Sequence, residues 1–106
     1  MVGMNARSIL SPGETADELA GSAFVHDGDR LVATYSTADF ASAVRVLDAV
    51  ALVADELNHH PDVQLGWGRV GFELSSHDVG GVTSRDLELA ARISGIAAEH
   101  GARAGD

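Results

Sequence analysis

Three of the chain's five histidines, His59, His60 and His77, lie close together in the sequence, with carboxylate residues on both sides of them. Imidazole is the side chain whose ordinary pKa lies nearest to neutrality, so it can donate or accept a proton under physiological conditions. Histidines grouped with carboxylates in a small domain therefore favour general acid and base catalysis.

The end of a predicted helix positions the first two histidines. Apolar residues recur every three or four positions over residues 38–57, which predicts a long helix capped by Ser36 or Thr37. Pro61 lacks a backbone donor and disfavours helical geometry at the residue before it, so the helix should end near His59. The stripe predicted to face a sheet consists of Phe40, Val44, Leu47, Val50 or Ala51, Ala54 and Leu57.

His59 is a candidate general acid because it would lie at the negative end of this helix dipole, which stabilises imidazolium by about 0.3–1 kcal/mol. Asp55, one helical turn earlier, would orient the ring of His59, with Glu56 as the alternative. The competing interpretation is an exposed histidine that caps free carbonyl groups. His60 would contact another part of the same flat ligand.

The third histidine, His77, follows a predicted strand that can return beside the helix end. Alternating segments at residues 63–67 and 70–75 predict a hairpin around Gly68. Thr83 is predicted to cap a last helix, ending near residue 100, in which Asp86 shares a face with apolar residues. A carboxylate on a buried face needs a partner, so Asp86 belongs to the cap, to a functional site, or to both.

The order of predicted elements specifies the fold class. A short helix at residues 15–20, capped by Thr15, precedes strands at residues 23–26 and 30–35 that flank a turn at Gly28. With the segments above, the order is helix, then β-β-α-β-β-α. This order predicts an α+β two-layer sandwich, a four-stranded antiparallel sheet with helices on one face, in one domain over residues 1–106 whose first 14 residues are partly mobile.

Composition excludes several classes of function. The net charge of -9 argues against nucleic acid as a partner. The chain has no cysteine, which excludes disulfides and thiolate metal sites. The longest strongly apolar run, residues 49–54, is far shorter than the ~20 residues of a membrane span. We expect a soluble, cytoplasmic protein. Trp67 is predicted to fill the core rather than stack on a ligand, and His26 and His100 are predicted to lie at the surface.

The histidines and the residues around them resemble the pattern of the pterin-4a-carbinolamine dehydratase family, most strongly over residues 55–93. Val63 and Ser22 stand where members of that family often carry aromatic residues. The residues that carry the resemblance are Asp55, His59, His60, Pro61, Trp67, His77, Asp78, Gly80, Gly81, Val82, Thr83 and Asp86.

The resemblance implies an enzyme that dehydrates 4a-hydroxytetrahydropterin to the quinonoid dihydropterin in tetrahydrobiopterin recycling, a hydro-lyase that uses neither metal nor organic cofactor. His59 and His77 would then be general acids on either face of the pterin, and His60 would bind the substrate and accept a proton. Asp55 would orient His59, and Asp86 would orient His77 or bind the pterin's amino edge. The implied supporting or substrate-binding residues are Asp55, Asp86, Pro61, Trp67, Ser76 and Asp78.

Three alternatives to catalysis stay open at this point. One is a protein-interaction module of the kind that serves as a dimerisation cofactor of a transcription factor. Another is an inert pterin-binding relative, and the third is a small histidine-carboxylate metalloprotein. In every case the exposed edges of a four-stranded sheet predict a homo-oligomer, and the resemblance implies a dimer or a tetramer.

Overall fold

Three helices lie against one face of an antiparallel sheet in the computed structural model, which describes residues 6–105. Residues 1–5, part of the predicted mobile lead-in, lie outside the described residues. In chain order the elements are α1 (Pro12–Leu19), β1 (Val25–Asp27), β2 (Arg30–Ser36), α2 (Phe40–Leu57), β3 (Asp62–Gly66), β4 (Arg69–Leu74), α3 (Ser84–Glu99) and β5 (Arg103–Ala104).

The strand order is β1-β2-β4-β3, and every pairing is antiparallel. The predicted α+β class is therefore confirmed, with one strand more than expected. Gly101, at φ +70°, turns the chain back after α3 so that β5 pairs with Tyr35 and Ser36 of β2. A positive φ is readily available to glycine, which explains how so short a strand can follow the helix directly.

The core lies between the helices and the inward face of β2 and β4. Alternate residues of these strands are buried, as expected for a sheet covered on one side. On α2 the buried residues are Ala43, Val46, Val50 and Ala54, whereas Phe40 in the first turn is 47% exposed. Val50 and Ala54 of the predicted stripe are therefore buried and Leu47 and Leu57 pack partly against the core, while Ala43 and Val46 are buried nearer the start of the helix.

The first helix begins earlier than predicted. Ser11, not Thr15, is its N-cap, since the Ser11 hydroxyl accepts from the Glu14 amide and the Glu14 carboxylate accepts from the Ser11 amide. This reciprocal pair is a capping box. Residues 12–14, which were predicted to belong to the lead-in, form the first turn of α1, and Thr15 is buried. For α2 the cap is Asp39 rather than Ser36 or Thr37.

Asn58 ends α2 and directs the chain towards the site. Its backbone is left-handed, with φ 52° and ψ 42°, and the next amide, that of His59, donates to the carbonyl of Ala54 at 3.0 Å. The helix therefore stops at Leu57, the end predicted from the apolar periodicity, and the chain has left the helix before His59. Because its amide is bonded to the last turn of α2, the backbone of His59 is fixed relative to the helix.

The strands β3 and β4 form the predicted hairpin, and Trp67 occupies its turn with Gly68. The Trp67 side chain is 75% exposed, so the prediction that it fills the core is wrong. A residue in a two-residue connection lies beyond the paired strands and cannot face the helices.

The last helix matches its predicted bounds. Thr83 is the N-cap, Asp86 completes a capping box with it, and His100 is the C-cap. No helix among residues 6–105 combines the length and the apolar composition needed to cross a membrane.

Asn58 supplies the first prediction. The left-handed region costs an L-residue about 1–2 kcal/mol, a cost that glycine avoids and asparagine reduces. We expect Asn58→Ala to lower the free energy of unfolding by about 1 kcal/mol relative to Asn58→Gly. Urea unfolding followed by circular dichroism measures both variants. Equal stability of the two would show that the left-handed cap does not constrain the end of α2.

Candidate active site

A fully buried carboxylate, that of Asp86, joins the elements of the site. Its Oδ1 lies 2.6 Å from His59 Nε2, while its Oδ2 accepts from Ser76 Oγ at 2.8 Å and from the Thr83 amide at 2.9 Å. These partners come from the end of α2, the end of β4 and the start of α3. One side chain therefore caps α3 and also holds a histidine, which is His59 and not His77 as the resemblance implied.

The surrounding hydroxyls complete this network. Because Ser76 Oγ donates its single hydrogen to Asp86, its 2.8 Å contact with Thr83 Oγ1 must be a bond donated by Thr83. Both residues are buried, and each oxygen has its partners within the network. Such satisfied networks hold their members in one arrangement.

His59 is anchored through one ring nitrogen, and its side chain is 12% exposed. Since three groups converge on Asp86 as an acceptor, we assign the ring hydrogen to Nε2. The other nitrogen, Nδ1, then points away from the carboxylate. A ring held in this way can donate or accept a proton at Nδ1 while Asp86 stabilises the positive charge of the imidazolium.

Asp55 pairs with His60, not with His59 as predicted. His60 Nε2 lies 2.9 Å from Asp55 Oδ1, with the two side chains 57% and 78% exposed. The reason is the left-handed backbone at Asn58, after which the ring of His59 reaches the start of α3. The alternative partner, Glu56, is instead bonded to an arginine of α3. An exposed pair of this kind holds His60 less firmly than a buried carboxylate holds His59.

The third predicted site histidine, His77, lies in the loop at residues 76–81, which we call the His77 loop. Its side chain is exposed and lines a cavity of about 250 Å³. The next residue, Asp78, accepts from Arg85 Nη2 at 2.8 Å, and this bond holds the pKa of the Asp78 carboxyl below its usual value. The other residues lining the cavity are Asp29, Arg30, Asp62, Glu73 and Ser75.

The histidines converge on one end of the β3–β4 hairpin but do not line one common cavity. His60 and Pro61 line a second cavity, of about 180 Å³, with Asp55. His59 lines neither of these two cavities. What connects the residues is Asp86, which bonds both His59 and Ser76, the residue directly before His77.

Trp67 is separated from the other predicted site residues. It follows β3 at the end opposite to Pro61, roughly 20 Å away at the rise of an extended strand. The structure therefore groups Asp86, His59, Ser76, His77 and Asp78, keeps the Asp55–His60 pair nearby at the surface, and leaves Trp67 apart.

Sequence inspection overlooked two residues near the histidines. Asp62 lines the His77 cavity, and it follows directly after Pro61, which was a signal available in the sequence. Arg85 bonds Asp78, and its position beside Asp86 in the first turn of α3 gave only a weak signal. In the part of the chain that the structure describes, no three His, Asp or Glu side chains are grouped to hold a metal ion.

The chain matches the family model described as pterin 4 alpha carbinolamine dehydratase over residues 9–96. It is 37% identical over 89 residues to a protein of Thermosynechococcus vestitus, covering 83% of this chain and 94% of that one. It is 38% identical over 74 residues to a protein of Nocardia farcinica, covering 70% and 78%. Both relatives carry the name of pterin-4-alpha-carbinolamine dehydratase provisionally.

Solved structures with the same fold include a transcriptional coactivator/pterin dehydratase from Brucella melitensis. It superposes with a TM-score of 0.79 and 26% identity, covering 85% of this chain and 99% of that one. A pterin dehydratase-like protein described as a RuBisCO assembly factor of the alpha-carboxysome superposes with a TM-score of 0.59 and 21% identity, covering 76% and 93%. The second likeness concerns the fold alone.

The buried carboxylate leads to a prediction about stability. We expect Asp86→Asn to lower the free energy of unfolding by about 1.5–3 kcal/mol, because it weakens bonds from His59, Ser76 and Thr83 to a charged acceptor. The matched control is Asp55→Asn, which removes an exposed carboxylate that also faces a histidine and should change stability by less than about 0.5 kcal/mol. Chemical denaturation compares the two. Similar losses would contradict the central role of Asp86.

The Asp78–Arg85 bond predicts a pH dependence. The pKa of Asp78 in the folded protein lies below its ordinary value of 3.8, so the bond stabilises the fold above that pH and is lost as the pH falls through the lowered pKa. We expect the melting temperature of wild type to exceed that of Asp78→Asn near neutral pH, and the difference to shrink below about pH 4. In an Arg85→Gln background the difference should be small at every pH. A gap that persists in acid would contradict the assignment.

Proposed function

This chain belongs to the pterin 4 alpha carbinolamine dehydratase family, as its sequence pattern indicated, and we propose that it dehydrates a 4a-hydroxytetrahydropterin to the quinonoid dihydropterin. The observation that carries the proposal is the anchoring of His59 on the buried Asp86, whose other oxygen bonds the residue before His77. The imidazole of His59 and the residue that precedes His77 are thereby held at one end of a hairpin. In this proposal the chain is a hydro-lyase that acts in tetrahydrobiopterin recycling in the cytoplasm.

The proposed reaction needs two proton transfers. The C4a–O bond breaks as an acid protonates the departing hydroxyl, which leaves as water. The N5–H proton passes to a base, and its electron pair forms the N5=C4a double bond. Atoms and charge balance without an oxidant, a reductant or a metal ion. Side chains that titrate near neutral pH suit both steps.

The three histidines have surroundings that fit different parts of this reaction. His59, whose Nε2 bonds a carboxylate and whose Nδ1 makes no hydrogen bond within residues 6–105, suits a general acid that delivers a proton from Nδ1. His77 is exposed on a loop and suits the second acid. His60, in an exposed pair with Asp55, suits substrate binding and acceptance of the N5 proton.

The supporting residues follow from the same contacts. In the proposal Asp86 orients His59, and Asp55 orients His60 in place of the role first predicted for it. Pro61 shapes the cavity beside His60, while Ser76 and Asp78 hold the His77 loop. A role of Trp67 in substrate binding stays a prediction.

A homo-oligomer is part of the proposal. Among residues 6–105, β3 pairs with β4 alone, so its outer edge presents free backbone donors and acceptors. Pairing with a second copy of the chain satisfies such an edge and protects it from aggregation. We propose a homodimer or a homotetramer, which sedimentation analysis distinguishes.

A second candidate function, protein interaction, is favoured by two observations. One structural relative is described as a transcriptional coactivator as well as a dehydratase. The exposed Trp67 side chain also offers an apolar anchor of the kind that protein interfaces use. In this case partner binding would survive His59→Ala but not Trp67→Ala, whereas dehydration would be lost in His59→Ala.

The catalytic proposal predicts that His59→Ala and His77→Ala each slow dehydration by about 10²–10⁴-fold, because each removes a proton donor or acceptor. The measurement is the spectroscopic decay of a chemically generated 4a-hydroxytetrahydropterin. The control is His100→Ala, which alters an exposed histidine at the far end of α3 and should leave the rate unchanged. Wild-type rates in both site variants, with circular dichroism spectra of folded protein, would refute the assignment.

A further inference from the structure

Arg85 ties the His77 loop to two other parts of the chain. Its Nη2 donates to Asp78 Oδ1 at 2.8 Å, inside the loop. Its Nε donates to the carbonyl of Ala6 at 2.8 Å and lies 3.3 Å from Thr83 Oγ1. A single guanidinium thus connects the His77 loop, the N-terminal segment at residues 6–10 and the cap of α3.

The ring of His77 has no hydrogen-bond partner within residues 6–105, in contrast to the rings of His59 and His60. Its position therefore depends on the backbone of the His77 loop. That backbone is held by hydrogen bonds within the loop. The Ser76 carbonyl accepts from the amides of Val79 and Gly80, and the Ser76 amide donates to the carbonyl of Gly81. On the Asp78 side the loop is attached to the rest of the molecule by the 2.8 Å bond from Arg85 and by a longer, exposed ion pair of 3.7 Å between Arg7 Nε and Asp78 Oδ2.

The N-terminal segment packs against the end of the His77 loop. The Leu10 amide donates to the Val82 carbonyl at 2.7 Å, directly after the loop. The side chain of Ile9 lies so close to Gly81 that a Cβ at that position would be 2.9 Å from Ile9 Cγ2. The Ala6 carbonyl that accepts from Arg85 belongs to the same segment, four residues before the Leu10 amide.

We propose that Arg85 is a positioning residue for His77, acting through Asp78 and the N-terminal segment; this inference rests on the proposed function. The guanidinium uses two of its nitrogens, since Nη2 donates to Asp78 while Nε is shared between the Ala6 carbonyl and Thr83 Oγ1. A lysine has no planar fork and cannot reproduce all of these contacts. The charge of Arg85 alone therefore does not account for the arrangement.

The decisive test is a double-mutant cycle. We expect Arg85→Gln to lower kcat by about 10- to 100-fold, because a general acid displaced by about 1 Å loses much of its effect. In a His77→Ala background the same change should cost less than about twofold, since Arg85 acts through a residue that is no longer present. Equal losses in the two backgrounds would overturn the proposal.

Matched variants separate positioning from general destabilisation. Arg92→Gln changes another arginine of α3, one that bonds Glu56, and should leave kcat within about twofold of wild type in both backgrounds. Arg85→Lys should recover only part of the loss caused by Arg85→Gln. If Arg85→Gln does not fold, Asp78→Asn breaks the same bond from the loop side and should give the same non-additive pattern. Full activity in Asp78→Asn would overturn the proposal.

A measurement independent of turnover distinguishes failure of this inference from failure of the proposed function. We expect the amides of Val79 and Gly80 to exchange with solvent about tenfold faster in Arg85→Gln than in Arg92→Gln or wild type. If wild type does not turn over a 4a-hydroxytetrahydropterin, the proposed function fails. Faster amide exchange in Arg85→Gln would still show that Arg85 holds the His77 loop. Unchanged exchange would overturn the inference whatever the activity.

Discussion

The structure depends on the bonds made by one buried carboxylate. Asp86 has no exposed surface, and a charged group in that position is tolerated only where donors surround it. Here the donors are His59, Ser76 and the backbone of Thr83. One oxygen of this carboxylate caps α3 and the other bonds His59. The start of the helix and the geometry of the site therefore cannot vary independently. Loss of the carboxylate would therefore affect folding and chemistry together.

The sheet topology allows these donors to meet. In an antiparallel hairpin, the start of β3 and the end of β4 lie at the same end of the pair, and Asp62 is in register with Glu73. The chain enters this end from α2 through His59 and His60, and leaves it through Ser76 and the His77 loop. Helix α3 begins where the loop finishes, so its N-terminal cap faces both histidine-bearing segments. The hairpin thus brings together residues that are far apart in the sequence.

The three histidines differ in how firmly they are held, and this difference is chemically useful. His59 is tied to a buried acceptor, His60 to an exposed one, and the ring of His77 is positioned through its loop backbone. Groups of one chemical type take different roles when their environments differ. A firmly held imidazole suits proton delivery to a fixed atom, whereas exposed rings with fewer contacts leave room for a planar ligand to enter. The proposed dehydration needs both properties.

The sequence by itself determined the features that depend on neighbouring residues: the α+β order of elements, the hairpin at Gly68, the cap formed by Thr83 and Asp86, and the group of histidines that carries the family pattern. Local signals suffice there because turns, caps and periodicity act over a few positions. Only the tertiary structure decided which carboxylate holds which histidine, which row of α2 packs on the sheet, and that Trp67 faces solvent. Asp55 lies four residues before His59 in the sequence and Asp86 27 residues after it, so sequence proximity favoured the carboxylate that does not bind this histidine. The choice depends on the left-handed turn at Asn58 and on the packing of α3, which bring Asp86 within hydrogen-bonding distance of His59 and leave Asp55 beside His60.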